Sequence, residues 1–180
     1  RGLQLGTELR FLTENNSNGK IWGDFLSDDD RIKEDRWQFD VETESFLSHG
    51  WRASVLAVGV SDNAYYDDFS SRLSTTSQTS LNRSIDFERY SEHWSMMVRL
   101  QDFQTIDPKI DLDQEPYAQL PQIVANGRWR DGFLGLDYSL DTETSYFYRD
   151  DSVKGARLHL KPAISLPLEG PGLYFVPEIA

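Results

Sequence analysis

The chain has 180 residues, 38% of them apolar, and a formal charge of −12 from 18 basic and 30 acidic residues. That length suits one domain with a sizeable core, and the acidic balance argues against nucleic acid as a partner. No run approaches the ~18 consecutive apolar residues of a membrane-spanning helix. With no cysteine, disulfide staples and thiolate metal sites are excluded.

In chain order the sequence predicts ten β-strands with no helical period between them. The first, Gly2 to Leu12, sets Leu3, Leu5, Leu9 and Phe11 against Gln4, Glu8 and Arg10. Asn15 to Gly19 turn it into a short second strand, Lys20 to Leu26, and an acidic loop follows over Asp28 to Asp35. The third alternates Trp37, Phe39, Val41 and Thr43 with Arg36, Gln38, Asp40, Glu42 and Glu44. The fourth opens after Ser48-His49-Gly50 with Trp51, Ala53, Val55 and Ala57 on one face.

A long polar loop fills roughly Ser61 to Thr79. Two arms of about ten residues then form a hairpin around Ser91-Glu92-His93, with Ile85, Phe87, Trp94, Met96, Val98 and Leu100 on the apolar face. Ten tilted residues is about what a strand needs to cross a bilayer's hydrocarbon. A second long loop covers about Thr105 to Ala118. The seventh strand, Leu120 to Trp129, ends at Arg130-Asp131-Gly132, which reads as a tight hairpin turn. The eighth, Phe133 to Tyr148, would place Leu134, Leu136, Tyr138 and Leu140 opposite Asp137, Ser139, Asp141 and Glu143. The ninth runs from Ala156 to Leu168, and the tenth, Leu173 to Ile179, follows the turn at Glu169 to Gly172. Pro121, Pro162, Pro167 and Pro177 are expected at strand ends, bulges or weakly paired edges, because each removes a ladder hydrogen bond.

Short turns near Asn16, His49, Glu92, Asp131 and Gly170 alternate with longer loops near Asp29, Ser70, Asp111 and Asp151. A transmembrane barrel segregates its loops this way, whereas a soluble sandwich has no reason to. Trp51, Trp94 and Trp129 each flank a short turn on the apolar face, as an aromatic girdle at one membrane interface requires. The other face carries too many charges for a dry core, where each would cost several kcal/mol. The fold expected is therefore all-β: an antiparallel up-and-down transmembrane β-barrel, of which these strands form part. The chain opens at Arg1 and stops at Ala180 in mid-pattern, so residues 1–180 read as one barrel domain incomplete at both ends, with any targeting signal elsewhere.

Four stretches, in order, resemble a known family. Ser61-Asp62-Asn63-Ala64-Tyr65-Tyr66-Asp67-Asp68-Phe69 is similar to the S-D-x-x-Y-F-x-D-F loop of the LPS-assembly protein LptD family (Imp/OstA, organic solvent tolerance protein), and it likewise follows a W-R-x-x-V strand, Trp51 to Val55. The family often has Pro where this chain has Ala64. Glu34-Asp35-Arg36-Trp37, Pro116 to Ile123 and Leu158 to Leu168 resemble further family motifs. The resemblance implies a Gram-negative outer-membrane barrel that inserts lipopolysaccharide into the outer leaflet. It also implies a plug lipoprotein (LptE) and a periplasmic bridge protein reached through an N-terminal jellyroll outside this sequence. It implies no enzyme activity and no cofactor. A general or substrate-specific porin is the alternative.

Candidate chemistry is weighed against plainer readings. Glu42/Glu44 and Asp141/Glu143 stand about 7 Å apart along one strand face, near an inverting glycosidase's spacing, but a hydrated lumen explains them better. The acidic loops Asp28–Asp35 and Asp107–Glu115 lack calcium-loop spacing. His49, His93 and His159 are scattered, so no catalytic or metal residue is assigned. Lumen-facing Arg10, Arg52, Arg99, Arg128, Arg157 and Lys161 are candidates to meet lipopolysaccharide phosphates or the plug; pairing with neighbouring carboxylates is the plainer expectation.

Overall fold

The computed structural model describes residues 2–69 and 78–180. Twelve strands follow one another: β1 (Gln4–Leu12), β2 (Asn18–Leu26), β3 (Arg36–Phe46), β4 (Trp51–Val60), β5 (Ser80–Tyr90), β6 (Trp94–Thr105), β7 (Ala118–Trp129), β8 (Asp137–Tyr148), β9 (Gly155–Ser165), β10 (Leu168–Gly170), β11 (Leu173–Phe175) and β12 (Glu178–Ile179). A one-turn helix, α1 (Tyr65–Phe69), follows β4. Ten strands form one antiparallel sheet in the order β1-β2-β3-β4-β5-β6-β7-β8-β9-β12, while β10 and β11 pair separately. The sheet is up-and-down and does not close on itself: β1 and β12 are not neighbours.

Register explains why the alternation survives folding. Val41 pairs with Ile21 on one side and Ala57 on the other, Phe87 with Val98, and Val98 with Ile123. Because side chains alternate with a period of two, one correct pair places every residue of both strands on its proper face. The odd-numbered apolar residues of β1 to β4 share a bare face; Leu5 is 61% and Leu9 55% exposed. The buried hydrophobic cluster sits instead at the long-loop end, where Val60, Tyr65, Tyr66, Leu81 and Ile106 pack together.

Several expectations need correction. The second strand is not short but spans Asn18–Leu26. The turn at Asp131-Gly132 is not tight: a 3-10 turn occupies Phe133–Gly135, so Leu134 and Leu136 lie in the connection and β8 starts at Asp137. Leu134 and Gly135 both take positive φ there, 63° and 72°, and Gly132 N–H reaches back to the Leu136 carbonyl at 2.9 Å. The 130–136 connection is thereby longer than that over 149–154, so the alternation of loop lengths lapses at this hairpin. The ninth strand stops at Ser165, and the tenth is split into β11 and β12 around Pro177. The Pro177 carbonyl takes the Leu166 N–H at 3.1 Å, and β12 rejoins β9 by only two residue pairs. Pro121 coincides with a register shift between Gln119 and Gln122, and Pro162 lies on β9 beyond the reach of β12, where one strand edge is open. Of the Ser61 to Thr79 loop, residues 70–77, including Ser70, lie outside the described residues, as does Arg1.

Candidate functional site

The polar face is a ladder of ion pairs. Arg52, on β4, bridges Glu44 of β3 at 2.9 Å and Glu88 of β5. Arg99 meets Asp86 at 2.5 Å, Arg128 meets Asp141 at 2.7 Å and Arg157 meets Glu143 at 2.7 Å. Arg10 holds Glu8 at 2.5 Å, which Lys20 also approaches at 3.4 Å. The cause is register: Arg52↔Glu88 and Asp86↔Arg99 are directly opposed, so their side chains rise from the sheet side by side. Glu143 collects more, accepting from Gln122 and Ser145 at 3.1 Å each. Of the four carboxylates that resembled acid/base pairs, Glu44, Asp141 and Glu143 are thus partners of arginines. Lys161 is opposed to Asp141 but makes no ion pair among the described residues.

At the other extreme of exposure stands Arg36, first residue of β3, with its side chain fully buried. Its guanidinium forks onto Asp62, Nε to Oδ2 at 2.9 Å and Nη2 to Oδ1 at 2.8 Å. Nη1 donates to Asp29 at 3.1 Å and to Asp68 at 2.6 Å. The Phe69 and Tyr65 rings lie 4.8 and 5.5 Å from its central carbon. Ser61 Oγ donates to Asp62 at 2.7 Å, the Ala64 N–H to Asp62 at 3.1 Å, and Arg31 pairs with Asp68 from outside. Five of the six loop residues named from the sequence, Ser61, Asp62, Tyr65, Asp68 and Phe69, therefore converge on one arginine. The sixth, Tyr66, turns to the sheet, where Gln38 Nε2 donates to its hydroxyl at 3.4 Å. Sequence reasoning missed Arg36 and Asp29 as members of this cluster; the available signal was one arginine at a strand end between two acidic loops.

The cluster folds the loop inward over the polar face. Beneath α1 a cavity of about 780 Å³ is lined by Trp22, Asp24, Gln38, Asp40, Tyr65 and Tyr66 among others. Burial pushes the Tyr65 hydroxyl up to about 12 and raises Tyr66 as well. The Arg36 hydrogen bond, with help from Arg31, holds the Asp68 carboxyl below its ordinary value.

Trp51, Trp94 and Trp129 all lie at the short-turn end on the apolar face. Trp94 and Trp129 meet edge to face at 4.9 Å, over Gly127, where a Cβ would come within 3.1 Å of the Trp94 ring and closer still to Trp129. Arg89 covers the Trp51 ring at 5.8 Å.

The chain is similar to known proteins along nearly its whole length. The family model for LptD, LPS transport system D, matches residues 34–180. The LPS-assembly protein LptD of Nitrosococcus oceani is 36% identical over 181 residues, covering 99% of this chain and 24% of that protein. Its counterpart in Aliivibrio fischeri is 33% identical over 182 residues, covering 99% and 22%. That of Shewanella oneidensis is 28% identical over 183 residues, covering 99% and 23%. The chain thus spans about a quarter of the length of these curated relatives.

Proposed function

We propose a function from one premise: the chain belongs to the LptD family, LPS transport system D. The ten-stranded sheet is part of the wall of an outer-membrane β-barrel that moves lipopolysaccharide to the outer leaflet. Residues 1–180 contribute to one barrel domain, whose remaining strands close the edges left open at β1 and along β9 and β12. Open edges in hydrocarbon would leave backbone groups unsatisfied at several kcal/mol each, so the wall is completed by other strands. The observation that carries this reading is a family match across a sheet with one bare apolar face and one ion-paired face. The apolar face meets lipid, with Trp51, Trp94 and Trp129 as its girdle, and the ion-paired face lines a hydrated interior.

Matched relatives carry the name of an assembly protein, and the family is one of transport rather than catalysis. The chain accordingly needs no catalytic residue and no cofactor of its own. The polar-face cations Arg10, Arg52, Arg99, Arg128, Arg157 and Lys161 are the surface past which phosphate and sugar groups move, or on which an LptE-like plug lipoprotein rests. Lys161, without an ion pair among the described residues, and Arg10, with its side chain 71% exposed, are the most available. A periplasmic bridge protein would connect through a jellyroll domain. The loop fixed by Arg36 caps the outer end.

The test is in-cell photocrosslinking of the full-length protein, with the probe at Glu42, Arg52 or Arg99 and controls at Val41 and Val98. Adducts with lipopolysaccharide or a small lipoprotein at the first set alone support the proposal. A normally assembled protein that gives neither adduct at any of the three is a solute channel instead.

A further inference from the structure

Every arginine so far described on the polar face is balanced by a carboxylate; Arg83 is not. It belongs to the apolar face of β5, in the same row as Ile85 and Phe87. Its Nε donates to the Val58 carbonyl at 3.0 Å and its Nη2 to Gln104 Oε1, both neutral acceptors. Gln104 in turn reaches the Val60 carbonyl at 2.7 Å and accepts the Val60 N–H at 3.2 Å. These side-chain bonds replace ladder bonds, because the β4–β5 register ends at Ala57↔Arg83 although β4 continues to Val60. Asp102 is directly opposite Arg83 on β6 but forms no ion pair with it, since the guanidinium leans the other way, toward β4. Two of an arginine's five N–H donors are used, which leaves three donors and no ion pair on the guanidinium among the described residues.

Its depth is informative. The Phe39 ring lies 5.8 Å from the Arg83 central carbon, and a Cβ built at Gly59 would come within 3.0 Å of Nη2, so the charge is at the level of Gly59. Gly59 lies eight residues along β4 from Trp51. At about 3.3 Å per residue and a tilt near 40°, that is about 20 Å above the girdle, toward the upper margin of an apolar band about 25 Å tall. A long cationic side chain rising from an apolar surface to the interface is snorkelling. Below it, a groove of about 230 Å³ runs past Val55, Ala57, Ile85, Leu100 and Leu120, with Arg83 and the opposed Asp102 also on its lining. Its cause is irregular pairing on both sides of β7, where the register shifts between Arg99 and Gln101 and again between Gln119 and Gln122.

We propose that this groove and Arg83 form a binding site for one anionic, phosphate-bearing lipid of the loop-side leaflet: an acyl chain lies over Ile85, Leu100 and Leu120, and the headgroup phosphate meets the Arg83 guanidinium. Charge complementarity chooses the occupant. An apolar groove alone takes any chain, but a guanidinium without an ion pair at headgroup depth selects a net negative phosphate, against which Asp102 acts. The site rests on the reading that the apolar face meets lipid.

The test uses the full-length protein and native mass spectrometry, titrating phosphatidylglycerol and, separately, phosphatidylcholine. The wild type is expected to retain one phosphatidylglycerol in preference to phosphatidylcholine. R83Q should weaken that step about tenfold, as loss of one charge-assisted contact does. R83K keeps the charge and should keep the preference, D102N should strengthen it, and L100W, which fills the groove, should abolish it without a change of charge. K109Q, in an exposed loop, is the control. Equal binding of the two lipids, or an R83Q protein that inserts and keeps the preference, overturns the site. Failure of either lipid to bind any variant overturns the lipid-facing reading beneath it.

Discussion

Arg36 and Arg52 project from the same face of adjacent strands, and each is held by more than one carboxylate, but the settings differ. Arg36 is wholly buried among Asp29, Asp62 and Asp68, under two aromatic rings. Arg52 has a side chain 40% exposed and joins Glu44 and Glu88 in the open. A solvated pair contributes little, typically under about 1 kcal/mol, because water and salt screen it. A buried charge has no such substitute, and removing one partner strands the others. The first arginine is therefore a fastening for the loop and the second an exposed rung between neighbouring strands.

The largest effect expected is from Arg36→Ala. It leaves Asp29, Asp62 and Asp68 without their shared cation and should destabilise the docked loop by about 3–5 kcal/mol. Hydrogen exchange across 61–69 of the full-length protein would read this, and unchanged protection there would contradict the fastening. Next is Val98→Arg on the bare face, expected to cost about 2–4 kcal/mol near mid-membrane, while Met97→Arg, one residue away on the ion-paired face, should be nearly neutral. Folding yield in lipid compares them. Arg52→Gln should cost under about 1 kcal/mol by the same assay, despite its two partners.

The smallest effect is in pH. With its folded value depressed, Asp68 adds stability that is complete above the ordinary carboxylate value of 3.8 and is lost as pH falls through the lower folded value. Tyr65, raised from 10.0 to about 12, supports docking fully below 10 and ceases to as pH climbs through 12. Ultraviolet titration of the phenol should move back toward 10 in the Arg36→Ala protein.

Most of the sheet was legible because alternation is a local signal that register preserves. Trp51, Val55, Val98 and Trp129 lie on the face their sequence position predicts. Connections were less legible. Asp131-Gly132 signals a two-residue hairpin, but the Tyr138 hydroxyl donates to the Phe133 carbonyl at 3.2 Å and the chain spends a further 3-10 turn before β8. Pro177 cannot continue a ladder, so the apparent strand from Leu173 is broken there. The loop motif was visible but its centre was not. Asp62 and Asp68 follow Arg36 by 26 and 32 residues, and only folding shows that these acids share one cation. Arg83 was hidden for a different reason: alternation marks it only as a charge in an apolar row, and its meaning depends on a β4–β5 ladder that stops early.

The most direct measurement is site-directed nitroxide scanning of residues 95 to 100 on β6, in the full-length protein reconstituted in a bilayer, with oxygen and a water-soluble nickel chelate as relaxants. The two-faced sheet predicts a strict period of two, with oxygen favoured at Met96, Val98 and Leu100 and the nickel chelate at Ser95, Met97 and Arg99. Accessibility without that period, or with the two relaxants exchanged, would contradict a sheet whose apolar face meets lipid.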